Sequence, residues 1–190
     1  MRMSKMSAAA VCMAILVLSA AFTASFADER TDDASIVGTW LATTTVNVPG
    51  APPFVFSELA AFNAGGTVVD THAVAHSSDN PFLPGEVAVD SSDAFGTWRR
   101  QNDHQFVVTF KRLLFAGVNT PTSIYGPFIP GQHVGFETVQ AVFTVQPGPD
   151  GGTLTGPFTV QFAKLSGQVV FAASGTVSAK RVKIEPLVAP

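Results

Sequence analysis

Residues 153–162 read TLTGPFTVQF, and this stretch decides the fold class. Its apolar residues Leu154, Phe158, Val160 and Phe162 alternate mainly with threonine and glutamine. Successive side chains of a strand point to opposite faces, so the stretch predicts a strand with one apolar and one polar face. Such two-faced strands are typical of antiparallel sheets.

The same period of two recurs along the chain, and no segment after residue 27 has a sustained helical period. It predicts strands at 36–47, 54–62, 67–75, 86–90, 94–100, 105–115, 134–146, 153–164 and 168–182. Turn signals such as PGPDGG at 147–152 separate them. We therefore predict an all-β domain over residues 36–183, a single closed or nearly closed antiparallel β-barrel of about eight strands. A two-sheet sandwich is the alternative, but small residues on the last apolar face (Ala173, Gly175 and Ala179) favour a barrel.

The first 27 residues have the pattern of a secretion signal. Arg2 and Lys5 precede an apolar run from Ala8 to Phe22, which is shorter than the roughly 20 residues of a membrane-spanning helix. Cleavage is expected after Ala27, giving a secreted or periplasmic protein with no stable membrane insertion. Residues 28–35 are expected to form a flexible N-terminal tail, and 184–190 a C-terminal tail.

The composition of the mature chain excludes several classes of function. Its signal segment holds the only cysteine, Cys12, so the mature protein has no disulfide, thiolate metal site or cysteine nucleophile. Removing Arg2 and Lys5 from 11 basic residues leaves 9 against 14 acidic ones, a net charge of −5. An acidic domain without a basic cluster is a poor nucleic-acid binder. No phosphate loop, dinucleotide fingerprint or nucleophile elbow is present, so no cofactor is expected. The oligomeric state is not indicated.

A Gly-Thr-Trp motif lies at the head of the first predicted strand, at residues 38–40. In a secreted β-rich chain it resembles the start of lipocalin and wider calycin barrels. This resemblance implies that Gly38 lets the chain bend into the barrel and that Trp40 closes its base. It also implies a basic residue against the indole, for which Lys180 and Arg181 are the matching positions. Arg181 alternates in step with the apolar residues of its strand and so shares their face, and we therefore expect it to make the cation–π contact. The typical lipocalin disulfide and C-terminal helix are not found.

Two related families also share features with the chain. Avidin-like barrels begin with Gly-Thr-Trp too, but the stretch resembling their second strand, GTLTG at 152–156, lies far from Trp40, and a biotin pocket is not expected. The chain is also similar to the small barrel cyclases related to allene oxide cyclase, although no catalytic residues match one by one. A second Gly-Thr-Trp, at 96–98, is interpreted as ordinary strand packing.

A barrel interior is a container, so we expect a small apolar or amphipathic ligand. The chain has 16 phenylalanines and one tyrosine, and phenylalanine lines a cavity without a hydroxyl that needs a partner. Arg112 shares a face with three apolar residues and is interpreted as an anchor for an anionic head group, or as a side chain reaching water at the strand end. Tyr125 lies in the long connection 117–133, which covers one barrel end or acts as a lid. The expected ligand-binding residues are Phe54, Phe56, Glu58, Phe62, Arg112, Tyr125, Phe143, Phe158, Phe162 and Phe171.

Polar residues on apolar faces are the candidates for chemistry. Glu137 is interpreted as solvated near the start of its strand, whereas the direction of Glu58 stays open between the two faces of its own strand. His72 and Asp70 share a face. His72 and His76 lie roughly 13 Å apart along a strand, too far to bind one ion, so no metal site is expected. Glu58 and His72 are the candidate acid/base residues, and the catalytic set is otherwise unknown.

Three functions remain open from the sequence. The first is ligand binding, the second is a barrel enzyme of the cyclase or isomerase type, and the third is a filled barrel that acts as a structural or interaction module. The volume of the cavity separates the third from the other two.

Overall fold

The computed structural model of the protein describes residues 35–48, 50, 52–72, 89–117 and 129–183. The expected signal segment, the C-terminal tail, Tyr125, His76 and almost all of the expected N-terminal tail lie outside these residues. All secondary-structure elements of the described residues are β-strands, which confirms the all-β prediction. Within those ranges, no helix has the length and apolar character needed to cross a membrane.

The strand bounds agree closely with the periodicity of the sequence. The fourth predicted strand, 86–90, is described only from Val89, and the third is described as far as His72. The strands are β1 (Gly38–Asn47), β2 (Phe54–Phe62), β3 (Thr67–His72), β4 (Val89–Ser91), β5 (Ala94–Arg100), β6 (Gln105–Ala116), β7 (His133–Gln146), β8 (Thr153–Lys164) and β9 (Val169–Arg181).

Eight of these strands form one closed antiparallel barrel. The sheet runs β5-β3-β2-β1-β9-β8-β7, and β6 pairs with both β5 and β7 to complete the circuit. The remaining strand, β4, is short and pairs with the end of β6 beyond the part that pairs with β5. This continuous pairing confirms the barrel and excludes the sandwich.

A serine side chain bridges the break between β4 and β5. The Ser92 N–H donates to Leu113 O at 3.0 Å, and the Leu113 N–H donates to Ser92 Oγ at 3.0 Å. Because the hydroxyl accepts where a backbone carbonyl would otherwise be needed, the edge of β6 stays bonded across the interruption.

Alternation along each strand separates the interior of the barrel from its surface. On β1, Trp40, Ala42, Thr44 and Val46 are buried, and most of the residues between them are exposed. On β9 the inward-facing residue 175 must be glycine, because β1 and the ring of Phe158 approach it closely. A Cβ there would lie 2.2 Å from Thr45 O and 2.5 Å from the Phe158 ring, so only glycine fits between β1 and that ring.

One end of the barrel is closed by Trp40. The indole is fully buried, and its Nε1 donates to Ile36 O at 2.8 Å. The guanidinium carbon of Arg181 lies 4.4 Å from the centre of the Trp40 ring, within the range of a cation–π contact. Gly38 has a φ of 130°, and a Cβ at this position would lie 2.5 Å from Arg181 Nη1, so glycine makes room for the guanidinium.

Arg181 also ties three backbone segments together at this end. Its Nε donates to Gly151 O at 2.9 Å, its Nη2 to Ser35 O at 2.5 Å and its Nη1 to Val37 O. These bonds connect the segment before β1 and the turn between β7 and β8 to the end of β9.

The second Gly-Thr-Trp motif has a different environment. Trp98 is half-buried, and its Nε1 donates to Asn63 O at 3.0 Å and Thr67 O at 3.1 Å. Its ring packs edge-on against Phe106, with 5.7 Å between ring centres. Trp98 therefore fixes the turn between β2 and β3 and does not line the interior cavity.

Candidate functional site

The barrel interior contains a cavity with mainly apolar walls. About 40 Å³ of it is wide enough to take the centre of a water molecule, which is room for roughly three waters. A ligand much larger than this requires the surrounding side chains to change rotamer. The lining residues are Trp40, Ala42, Thr44, Val46, Phe56, Glu58, Ala60, Phe62, Asp70, His72, Phe110, Arg112, Glu137, Val139, Phe143, Leu154, Phe158, Val160, Phe162, Val177 and Ala179.

The lining includes three acidic side chains and one arginine, and these four residues (Glu58, Asp70, Arg112 and Glu137) are called the polar group below. They come from β2, β3, β6 and β7, and closure of the barrel brings them together from positions up to 79 residues apart. Arg112 is 2% exposed, and its Nη1 donates to Glu137 Oε1 at 2.8 Å. Its Nη2 donates to Asp70 Oδ2, so one guanidinium bridges two carboxylates.

Glu58 occupies the other side of the polar group. It pairs across the strands with His72 on β3, and its Oε2 accepts a hydrogen bond from Thr44 Oγ1 at 2.9 Å. The His72 ring packs edge-on against Phe56, with 5.4 Å between ring centres. Glu58 keeps some accessible surface, whereas Asp70, Arg112 and Glu137 are buried.

The protonation states of Glu58 and Asp70 follow from this environment. Burial raises the pKa of Glu58 from 4.5 to about 8, with a further rise from the charge of Asp70, against the opposing effect of Arg112. Burial likewise raises the pKa of Asp70 from 3.8 to about 6, although Arg112 acts to lower it. At neutral pH Glu58 is therefore mainly a neutral acid and Asp70 mainly a carboxylate.

Arg112 remains a cation in this site. Burial acts to lower its pKa, but the carboxylates of Glu137, Asp70 and Glu58 outweigh that effect and raise it. Its Nε is buried and has no hydrogen-bond partner among the described residues.

Two expectations about charged residues need correction. We expected Glu137 to be solvated near the start of its strand. It is instead 8% exposed and ion-paired with Arg112, because β7 begins at His133, four residues before Glu137. Arg112 does not reach solvent, and both of its terminal nitrogens are already bound to carboxylates. The alternative in which Arg112 reaches water at the strand end is therefore wrong, whereas its role as an anchor for an anionic head group stays a prediction.

The structure brings most of the expected lining residues together. Phe56, Phe62, Phe143, Phe158 and Phe162 line the cavity with Glu58 and Arg112. Two others stand behind this lining. Phe54 packs on Phe56 with 5.5 Å between ring centres, and Phe171 packs on Phe162 at 5.6 Å.

Sequence reasoning missed Phe110 and Thr44 as lining residues. The alternation of the sequence could have identified both residues, because Phe110 lies on the same strand face as Arg112 and Thr44 lies on the same strand face as Trp40. Of the other described histidines, His104 is exposed, while His133 packs between Phe115 and Phe136 outside the cavity lining. Among the residues described, no three His, Cys, Asp or Glu are grouped so that they could hold a metal ion.

Comparison with known proteins gives no family for the chain. No protein-family model matches it, and no curated protein matches it in sequence. Its architecture is a closed, eight-stranded antiparallel β-barrel with one additional strand.

Proposed function

We propose that this barrel binds a small apolar or amphipathic molecule in its interior, in the manner of the lipocalin-like carriers it resembles at Gly38-Thr39-Trp40. The observation that carries the proposal is the cavity, with its apolar, aromatic walls and a single polar group. Small-molecule sites commonly combine these features, because apolar walls supply affinity and a few polar side chains fix orientation.

In the proposed complex the polar end of the ligand meets Glu58. Both terminal nitrogens of Arg112 are already bonded to carboxylates, whereas Glu58 keeps accessible surface. The apolar body of the ligand packs on the phenylalanine side, against residues such as Phe62, Phe143 and Phe158.

The first test is native mass spectrometry of the protein purified from its own host, in the wild type and in two variants. Ala42→Phe fills the cavity beside Glu58, and Thr43→Phe adds the same bulk to the exposed face of β1. We expect a bound small molecule in the wild type and in Thr43→Phe, and none in Ala42→Phe.

Circular dichroism of Ala42→Phe first establishes that it folds, since overpacking costs about 1–3 kcal/mol. A wild-type protein that carries no small molecule, and whose Tm is unchanged by a panel of apolar probes, would contradict ligand binding. That result would favour the filled barrel acting through its outer surface.

We further propose that the protein acts outside the cytoplasm after removal of residues 1–27. The charged start, apolar run and small residues of this segment support the proposal. The intact mass of the mature protein is expected to correspond to a chain beginning at Asp28. A mature protein that retains residues 1–27 would contradict it.

A second candidate function is proton-transfer catalysis, of the cyclase or isomerase type. It is favoured by the difference in pKa between two neighbouring acids, since the pKa of Glu58 is raised to about 8 and that of Asp70 to about 6. Such a separation lets one group act as an acid while the other acts as a base. The test is to incubate the recovered ligand with the wild type and with Glu58→Gln, and to separate the products by chromatography. Equal conversion by both proteins, or none by the wild type, would exclude this role for Glu58.

A further inference from the structure

The charges around the cavity do not balance. The polar group holds three carboxyl groups and one guanidinium, and the other residues that line the cavity include no lysine and no second arginine. The groups that face Glu58 are Thr44 from β1, Asp70 and His72 from β3, Arg112 from β6 and Glu137 from β7. Asp93, beside β5, adds a further negative charge near Asp70. With Glu58 protonated, the carboxylates of Asp70 and Glu137 still outnumber the guanidinium of Arg112, so these groups together carry one excess negative charge.

This excess bears directly on the charge of the ligand. A carboxylate entering the cavity would meet three acidic side chains, and the single guanidinium is already shared between two of them. A cation entering the same space would be attracted by the excess negative charge. Glu58 is the acid that it can contact, because Glu58 keeps accessible surface while Asp70 and Glu137 are buried. The faces of phenylalanine rings such as Phe56 add to this preference, because aromatic faces attract cations.

Resting on the proposed binding function, we propose that the ligand is an amphipathic amine. Its protonated nitrogen would lie against Glu58 with its apolar body among the phenylalanines, and carboxylates of the same shape would be excluded. Binding is then coupled to the release of a proton from Glu58, and the affinity rises as the pH is raised towards 8. A simple alkylamine remains protonated over this range, because its pKa is close to the 10.4 of lysine.

The test compares three probes of one chain length, chosen for the small cavity: butylamine, 1-butanol and butyrate. Binding to the full mature protein is followed by NMR titration at pH 6 and pH 8. We expect butylamine to bind at least about tenfold more tightly than 1-butanol at pH 8, and butyrate to bind most weakly. The preference for the amine is expected to shrink at pH 6.

Two variants locate the effect. Glu58→Gln is expected to weaken butylamine binding about tenfold and to change 1-butanol binding less than threefold. Asp103→Asn removes an exposed acid outside the cavity and is expected to change neither. Both are checked for folding by circular dichroism, and the pH dependence of the wild type tests the idea without any variant.

The outcomes separate this inference from the binding function beneath it. If 1-butanol or butyrate binds as tightly as butylamine, the amine proposal is overturned while ligand binding stands. If none of the three probes binds, and larger apolar probes do not bind either, both proposals fail.

Discussion

Arg112 is the residue on which the barrel interior depends most. It is the cationic partner of both Asp70 and Glu137, and all three side chains are buried. Breaking a buried ion pair from one side leaves a charge without compensation, which costs about 3–5 kcal/mol. The same polar set contributes little net stability over an apolar core, so its presence is better explained by a function of the cavity.

Arg112→Met is therefore expected to lose about 3–5 kcal/mol of unfolding free energy at pH 7.5, measured by urea denaturation. The loss should be smaller at pH 5, because Asp70 without its guanidinium accepts a proton more readily. Arg99→Met, on the exposed face of β5, serves as the control and is expected to stay within about 0.5 kcal/mol of the wild type. An Arg112→Met protein as stable as this control would show that the carboxylates do not need their cation.

Glu58 makes the stability of the protein depend on pH. The folded protein keeps this group protonated up to about pH 8, whereas the unfolded chain releases the proton near 4.5. Between these values the folded state binds more protons, so the contribution of Glu58 to stability is greatest below pH 4.5 and is lost as the pH rises through 8. Asp70 has the same sign over a lower window, between 3.8 and about 6.

The Tm of the wild type is therefore expected to fall from pH 5 to pH 8, and Glu58→Gln should remove the larger part of that decline. At pH 8 the variant should have the higher Tm by several degrees, at roughly 2–4 °C per kcal/mol. Thermal denaturation at four pH values measures both slopes. A wild-type Tm that rises across this window would contradict the assignment of a protonated Glu58.

At the residue scale, the sequence predicted which side chains share a strand face, but not which of them form ion pairs. Parity placed Arg112 with apolar neighbours, and it also grouped Asp70 with His72. The bridge from Asp70 through Arg112 to Glu137 could not be predicted, because it depends on the register of β3, β5, β6 and β7. Register is set across strands and turns, and it has no signature within a single strand.

At the scale of elements, the Arg181 side chain makes several contacts at one end of the pairing between β1 and β9. Arg181→Gln removes the cation over Trp40 and the bonds to the carbonyls of Ser35, Val37 and Gly151. We expect a loss of roughly 1–3 kcal/mol and faster amide exchange over residues 36–41, measured by hydrogen exchange mass spectrometry.

Lys180→Gln is the matched control for this element. Lys180 is adjacent on β9 but exposed, so its substitution should alter neither the stability nor the exchange. Equal protection of residues 36–41 in both variants would show that the strand pairing alone holds this end.

The extent of the strands was largely predictable, and the reason is their two-faced composition. β8 was expected at 153–164 and has those bounds. The relation of β4 to β5 was not predictable, because both lie on one edge of β6 and are joined there by the Ser92 hydroxyl. A serine between two short strands looks like any turn residue in the sequence.

At the scale of the whole molecule, the closed circuit predicts one cooperative unfolding transition. Every barrel strand is paired on both edges, so no strand can leave without breaking two ladders. Trp40 on β1 and Trp98 on β5 report on different parts of this circuit.

We expect the variant Trp98→Phe, in which Trp40 remains, to show the same urea midpoint by fluorescence and by far-ultraviolet circular dichroism. Trp40→Phe should show coincident midpoints as well, at a lower urea concentration, because it leaves space at the closed end. Separate midpoints for the two probes within one variant would show that the barrel unfolds in parts.

The pairing of β1 with β9 has a consequence for the order of synthesis. Trp40 pairs with Arg181, which follows it in the chain by 141 residues. Until β9 leaves the ribosome, β1 has an open edge able to pair with another chain. The nascent protein is therefore an unclosed sheet until β9 emerges, and the pairing of β9 with β1 both completes the barrel and ends that exposure.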